Sequence, residues 1–289
     1  MRDFDFLQPA SVAEASRMLA GLGDEARVMA GGTALLLALR QRMVAPSHVI
    51  SVAKIEALRG IAFDAKDGLR IGALVKHAEL ARSPLVQQHY PVLAAMAAQV
   101  ANPQVRNQGT LGGNLCYADP ATDPPGCLLA HGACVVLGSA RGERVLPLEE
   151  FLVDYYTTAL EPDELVVEVR VPPPASDASG AYTRHLRTAA EHRPLASVAL
   201  LARRDGALCR EARLVVGASV VVPRRLERAE EFLRGKTITL DVAAAAADIV
   251  AEDIAAISDA RGTEDYRRAM VRVVARRTIA NLFGLEETA

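Results

Sequence analysis

The sequence has almost no excess of either charge. Its 33 lysines and arginines face 35 aspartates and glutamates, for a net charge of −2 over 289 residues, and the cations are scattered rather than gathered in a stripe. Binding to nucleic acid or an anionic membrane needs a basic face, so the expected partners are small molecules or proteins. No apolar run approaches the ~18 residues of a membrane-spanning helix. The start, Met1-Arg2-Asp3-Phe4-Asp5-Phe6, alternates charge with aromatics and has no apolar segment of the kind a secretory signal carries; the expected location is the cytoplasm. Cysteine is scarce, with four in all and none in a Cys-x-x-Cys pair, so free thiols in a reducing compartment are expected. Cys116, Cys127 and Cys134 lie close in sequence, but an iron–sulfur cluster normally takes four thiolates, and Cys209 is remote. No metal site is expected, and no Ser/His/Asp constellation for nucleophilic catalysis is visible.

The Gly-x-Gly-x-x-Gly spacing of a full dinucleotide-binding half is also missing. Two other glycine-rich segments are present. Ala30-Gly31-Gly32-Thr33-Ala34 follows the apolar run Val28-Met29 and precedes Leu35-Leu36-Leu37, which reads as a strand, a glycine turn and the start of a helix. Gly109-Thr110-Leu111-Gly112-Gly113-Asn114 puts three glycines within five residues. Such a backbone can take positive φ and approach a ligand closely, and successive N–H groups in a loop of this kind form a nest for an anion. A pyrophosphate held between two glycine loops is the hypothesis that follows. Gly31-Gly32 alone is also compatible with a purely steric turn.

The remaining pattern is mixed. Ser11-Val12-Ala13-Glu14 is a capping box, and Val12, Ala15, Met18, Leu19 and Leu22 recur at helical spacing, predicting a helix over 11–22. A strand over 27–30, a helix running to about residue 42 and a strand over 48–51 make a βαβ unit. Short strands are predicted over 61–63, 69–72, 133–137, 144–146 and 165–171, with helices over 77–88 and 91–100. Asn102-Pro103 reads as a helix stop. Asp123 followed by Pro124 reads as an N-cap with proline at the first helical position. The proline-rich run 172–180 reads as a linker, with a domain boundary near Ala175. Beyond it strands are predicted over 197–202 and 212–216, and helices over 241–257 and 264–283.

In their order these residues resemble the medium, FAD-binding subunit of the molybdenum hydroxylases, the group containing carbon monoxide dehydrogenase and xanthine dehydrogenase. The resemblance is carried by Ala30-Gly31-Gly32-Thr33, by Gly109-Thr110-Leu111-Gly112-Gly113-Asn114 with Ala118-Asp119-Pro120 and Asp123-x-Pro125, and by Thr158-x-Leu160-x-Pro162-x-Glu164-Leu165. Further along it continues through Ala212-Arg213, Gly217, Pro223-x-Arg225, Glu230-x-x-Leu233-x-Gly235-Lys236 and Asp265-Tyr266-Arg267. It spans nearly the whole chain.

The resemblance implies an α+β fold. A two-lobed FAD-binding domain of the vanillyl-alcohol-oxidase (PCMH) type would occupy residues 1–175, with lobe one over about 1–57 and lobe two over about 58–175. A C-terminal domain over 176–289 would combine a three-stranded antiparallel sheet with helices. The implied cofactor is non-covalent FAD. Ala30, Gly31, Gly32, Thr33 and Ala34 would wrap one side of its pyrophosphate, and Thr110, Leu111, Gly112, Gly113 and Asn114 the other. Asp123 would lie near the sugar chain, and Leu165 and Arg184 close to the isoalloxazine. Ala34 stands where relatives often have serine or aspartate, which removes one side-chain hydrogen bond. Arg184 stands where lysine is frequent, which keeps the charge but changes the donor geometry. His192 falls near a position that covers the flavin ring in some relatives; flanked by Glu191 and Arg193, it reads better as a surface residue. The hydroxybenzoyl-CoA reductase branch inserts a cysteine-bearing loop after this glycine run, and no such insert lies between Cys116 and Cys134.

The implied function is electron transfer within a larger oxidoreductase. A large molybdenum-binding subunit and a small iron–sulfur subunit carrying [2Fe-2S] clusters would be its partners, in a dimer of heterotrimers. No residue of this chain is expected to act as a catalytic acid or base. A free-standing FAD-dependent oxidoreductase and a flavin-less scaffold subunit are the alternatives.

Overall fold

The computed structural model describes residues 2–188 and 190–285. The first lobe begins with β1 (Asp5–Leu7), α1 (Val12–Leu22), β2 (Ala26–Met29), α2 (Leu35–Arg40) and β3 (His48–Ser51). Its three strands form a parallel sheet in the order β1-β3-β2, so the expected βαβ unit is present and gains an edge strand at the N-terminus. Ser11 caps α1 as expected: its Oγ accepts from the Glu14 amide at 3.2 Å, while the Glu14 carboxylate accepts from the Ala10 amide at 2.7 Å. The helix after Ala34 is shorter than predicted and ends at Arg40; Arg42 takes a positive φ of 58°, which a continuing helix cannot accommodate.

The second lobe contains β4 (Ile61–Asp64), β5 (Gly68–Gly72), α3 (His77–Arg82), α4 (Pro84–His89), α5 (Pro91–Gln99), α6 (Pro103–Gln108), α7 (Leu111–Tyr117) and α8 (Pro124–Ala130). It continues through β6 (Cys134–Ser139), β7 (Gly142–Pro147), α9 (Leu148–Phe151), β8 (Leu152–Asp154), β9 (Thr157–Thr158) and β10 (Leu165–Val171). Three helical expectations are corrected. The helix predicted over 77–88 is split at Ser83, whose extended backbone precedes Pro84, as the clash with a following proline ring demands. Pro103 starts a helix rather than only ending one: it is the first residue of α6, and the Asn102 side chain accepts from the Val105 amide at 2.9 Å. The segment expected as a glycine loop is helical from Leu111, with Thr110 as its N-cap.

Strands β4-β5-β10-β6-β7 form an antiparallel sheet with β10 in the middle. Successive side chains of a strand point to opposite faces. Leu165 and Val167 of β10 face Ala15 and Leu19 of α1 together with Ile50 of β3, whereas Val169 and Val171 pack with Leu80, Leu93, Met96 and Leu128 from the helices on the other side. The two lobes therefore share a core.

The C-terminal part is β11 (Ala178–His185), β12 (Ala196–Asp205), β13 (Leu208–Gly217), β14 (Arg224–Arg225), α10 (Glu227–Leu233), α11 (Leu240–Asp253) and α12 (Glu264–Leu282). Three long antiparallel strands and the two-residue β14 form one sheet in sequence order, matching the expected three-stranded sheet with helices. Regular structure starts at Ala178, inside the run read as linker. The same alternation makes this sheet a middle layer. Val198, Leu200, Leu214 and Val216 pack under α10, α11 and α12, while Ala199 and Val215 join the core of the second lobe beside α8.

One buried charge fastens the C-terminal layer. Arg267 of α12 is 0 % exposed; its Nη1 donates to the Leu195 carbonyl at 3.0 Å and to the Ala218 carbonyl at 2.8 Å, and its Nη2 to Asp259 Oδ1 at 2.7 Å. A buried guanidinium of this kind ties three chain segments to one helix. Arg267→Met removes the donors and leaves the Ala218 carbonyl unsatisfied, which should lower stability by about 2–4 kcal/mol. Urea unfolding followed by circular dichroism measures it; a midpoint unchanged from the parent would show that the clamp contributes nothing.

Candidate functional site

The two glycine segments meet backbone to backbone. A Cβ added at Gly31 would lie 2.1 Å from the Gln108 carbonyl oxygen and 3.0 Å from Gly109 Cα, a clash of main-chain atoms that no rotamer relieves. A Cβ at Gly109 would stand 3.4 Å from Thr33 Oγ1, and one at Gly113 3.6 Å from Ala30 Cβ. Ala30 to Ala34 thus lies against the segment joining α6 to α7, and the fold brings together the residues that the sequence paired across 80 positions.

The segments differ in what they offer a ligand. The amides of Leu111, Gly112, Gly113 and Asn114 are already engaged, by the Val75 carbonyl at 2.9 Å, the Ala73 carbonyl at 2.9 Å, Thr110 Oγ1 at 3.1 Å and the Thr110 carbonyl at 3.0 Å. Neither Gly112 nor Gly113 has a positive φ. The expectation of an open nest there is corrected, and the glycines have a packing role: a Cβ at Gly112 would sit 2.6 Å from Ala73 Cβ and 2.9 Å from the Ala73 carbonyl oxygen. The first segment is the reverse. Among the described residues the amides of Gly31, Gly32, Thr33 and Ala34 have no acceptor, all four residues are half-buried, and Gly32 has φ +72°. Four successive donors beside a left-handed glycine are the kind of backbone from which anion nests are built. Of the second segment, Asn114 Oδ1 accepts from the Thr122 hydroxyl at 3.1 Å.

Asp123 starts α8 but does not cap it, because its side chain bonds no amide of the helix. It is 2 % exposed and accepts from Tyr182 Oη at 2.6 Å and from Arg184 Nη1 at 3.0 Å. Burial pushes its carboxyl up from the ordinary range, opposed by the Arg184 charge and the Tyr182 hydrogen bond. Tyr182 and Arg184 project from β11, so this pair joins the turn before α8 to the C-terminal sheet. Asp119 repeats the arrangement. It accepts from the Ala121 amide at 2.9 Å and from Arg193 Nη2 at 2.6 Å. Neither Tyr182 nor Arg193 was singled out from the sequence as a site residue; Tyr182 lies two residues from Arg184 on the same face of a strand, a period-2 signal.

Residues 2–174 match the family described as the FAD binding domain in molybdopterin dehydrogenase, and residues 181–282 match the CO dehydrogenase flavoprotein C-terminal domain. The chain belongs to the FAD-binding medium subunits of the molybdenum hydroxylases. It is an oxidoreductase subunit. Over 279 residues it is 34% identical to the 6-hydroxypseudooxynicotine dehydrogenase complex subunit alpha of Paenarthrobacter nicotinovorans, covering 96% of this chain and 93% of that one. It is 34% identical over 276 residues to the carbon monoxide dehydrogenase medium chain of Hydrogenophaga pseudoflava, covering 96% of each. A solved structure of carbon monoxide dehydrogenase from Hydrogenophaga pseudoflava superposes with a TM-score of 0.93 over 98% of both chains.

In this medium subunit Leu165 is buried in the core shared by the lobes, against which Ala30 of the first glycine segment packs, and Arg184 is held at Asp123. His192 is exposed. Cys127 and Cys209 are buried in different cores, while Cys116 is exposed.

Below the second segment lies His77, 2 % exposed, whose backbone amide donates to the Gly109 carbonyl at 3.2 Å and whose Nδ1 has no partner. Burial first, and then the charge of Arg106, depress the His77 imidazole to about 4. A folded-state value below the unfolded 6.5 means that the unfolded chain takes up the proton first on acidification. The stabilisation is complete above pH 6.5 and is lost as the pH falls toward 4, by roughly 3 kcal/mol at most. The difference between the stability profiles of the parent and His77→Gln should therefore vary by about one proton across that window. Parallel profiles from pH 7 to pH 4 would mean that His77 does not titrate this way.

Proposed function

We propose that the amides of Gly31 to Ala34 receive the pyrophosphate of non-covalent FAD, with Thr110, Leu111, Gly112, Gly113 and Asn114 as the opposing wall. The observation that carries this reading is the run of four free amides pressed against a segment whose amides from Leu111 to Asn114 are spent. A side chain at Gly31 would force the two segments apart, and the left-handed Gly32 turns the donors inward. In the same reading Asp123, held by Tyr182 and Arg184, lies toward the sugar chain, and Leu165 and Arg184 lie toward the isoalloxazine. The domain boundary falls near Ala175, a placement supported by family matches that end at residue 174 and resume at residue 181.

The flavin supplies two-electron chemistry on one side and single-electron exchange on the other; the protein supplies binding, orientation and electrostatics. We infer that this chain relays electrons from iron–sulfur centres of a small partner subunit to an external acceptor, while a large partner subunit holds the molybdenum cofactor. Relatives named as a medium chain and as a complex subunit support a heteromeric assembly. Among the described residues no helix is long and apolar enough to cross a membrane, in keeping with the proposed cytoplasmic complex.

Gly32→Val should lower the flavin content of the purified chain at least about tenfold, because a β-branched residue at φ +72° costs about 1–3 kcal/mol and turns the donors away. Acid precipitation of the parent should release the flavin into the supernatant. Full flavin occupancy in the variant would remove the basis for the cradle. In the assembled complex stripped of FAD, substrate should still reduce the iron–sulfur centres, and reduction of the final acceptor should return only when FAD is restored. Acceptor reduction at the full rate without FAD would exclude the relay.

A further inference from the structure

A cavity of about 550 Å³ opens where the second lobe meets the C-terminal sheet, lined among others by His131, Pro173, Leu201 and Arg213. It lies at the far end of β10 from the glycine segments. The Ala73 amide donates to the Val167 carbonyl and the Ala73 carbonyl accepts from Gly112, so the early part of β10 stands by α7. The strand ends at Val171, and Pro172 to Pro174 beyond it form part of the cavity wall. Nothing in the proposed flavin site uses this space. Cavities of this size at domain junctions, apolar with a few convergent polar groups, are typical small-molecule sites.

The polar groups on its wall are unequally satisfied. Arg203 is paired with Asp177 at 2.9 Å and Arg225 with Glu230 at 2.5 Å. Tyr90 spends its hydroxyl on the Val171 and Pro172 carbonyls and sets its ring edge against His131, with centroids 5.6 Å apart. Arg213 makes no hydrogen bond or ion pair among the described residues. Its Nη1 lies against Gly132, where a Cβ would come within 2.5 Å of it. His131 Nε2 is buried without a partner. Burial first, and then the Arg213 charge, hold this imidazole down at about 4, so it is neutral and has one N–H to give. The half-buried Arg213 guanidinium lacks an acceptor, and a planar carboxylate matches the fork of Arg.

We propose that this cavity binds a small amphipathic carboxylate, its anionic group on Arg213 and its apolar body among Pro173, Leu129 and Leu201. The ligand touches both domains, so its binding stabilises their junction. A simpler role for Arg213, balancing the carbonyl end of α8 where His131 is the C-cap, accounts for the guanidinium alone. It gives the cavity no role.

The test uses the flavin-loaded full chain with benzoate as probe and inorganic phosphate for comparison, by titration calorimetry and thermal melting. Benzoate should bind at a single site and raise the melting temperature, phosphate should bind more weakly, and the flavin absorbance should stay constant. Arg213→Gln should weaken benzoate at least about tenfold. Should Arg213→Gln fail to fold, Ala178→Glu, which sets a negative charge on the exposed rim, should produce the same loss. Absence of benzoate binding at about 10 mM, binding unaltered by these variants, or phosphate bound more tightly than benzoate would each overturn the proposal. A parent without benzoate affinity, together with a less stable Arg213→Gln, would assign Arg213 to the end of α8.

Discussion

The closeness of Gly31 to Gln108 and Gly109 is the constraint on which the site depends. Two backbones meet where a single Cβ would fall 2.1 Å from a carbonyl oxygen, and that approach fixes the parallel βαβ unit against the helices of the second lobe. With the position fixed, the amides of Gly31 to Ala34 are left over while those of Leu111 to Asn114 are consumed. Gly112 and Ala73 repeat the constraint one layer deeper, holding α7 beside the central strand β10 of the five-stranded sheet. The proposed cradle is therefore asymmetric: one side would supply donors and the other a rigid wall.

The rest of the fold holds this asymmetry in place. Leu165 and Val167 bind α1 of the first lobe to the central strand of the second, so the lobes cannot separate without exposing a common core. The C-terminal sheet is buried on both faces, under its own helices and over α8. Asp119 and Asp123 then fasten the turn between α7 and α8 to Arg193, Tyr182 and Arg184 across the domain junction. Breaking a buried pair of this sort strands a charge, and so the second domain acts as a brace for the cofactor lobe as well as a layer of its own.

Local rules written in few residues were legible beforehand. Ser11 with Glu14, the strand over His48–Ser51, β10 and the two long C-terminal helices follow from caps, alternation and helical spacing. The family could be recognised from an ordered series of short motifs, Ala30-Gly31-Gly32-Thr33 foremost. Pro103 reads as a helix stop and the helix expected over 77–88 runs through Pro84, yet both prolines begin helices because a first-turn residue needs no N–H. Gly112 sits inside a helix because Ala73 leaves no room for a side chain.

The sequence by itself determined the family, the α+β class and the two glycine segments proposed to hold the flavin, because each depends on residue types at short spacing. Only the tertiary structure decided which segment keeps free donors. Whether an amide is available depends on acceptors such as the Ala73 and Val75 carbonyls, far away in the chain and brought in by the packing of α7. The same holds for Asp123. Its position before two prolines marks a helix start, but the partner of its carboxylate was settled by a strand 60 residues later, arriving at 2.6 Å through the register of a sheet.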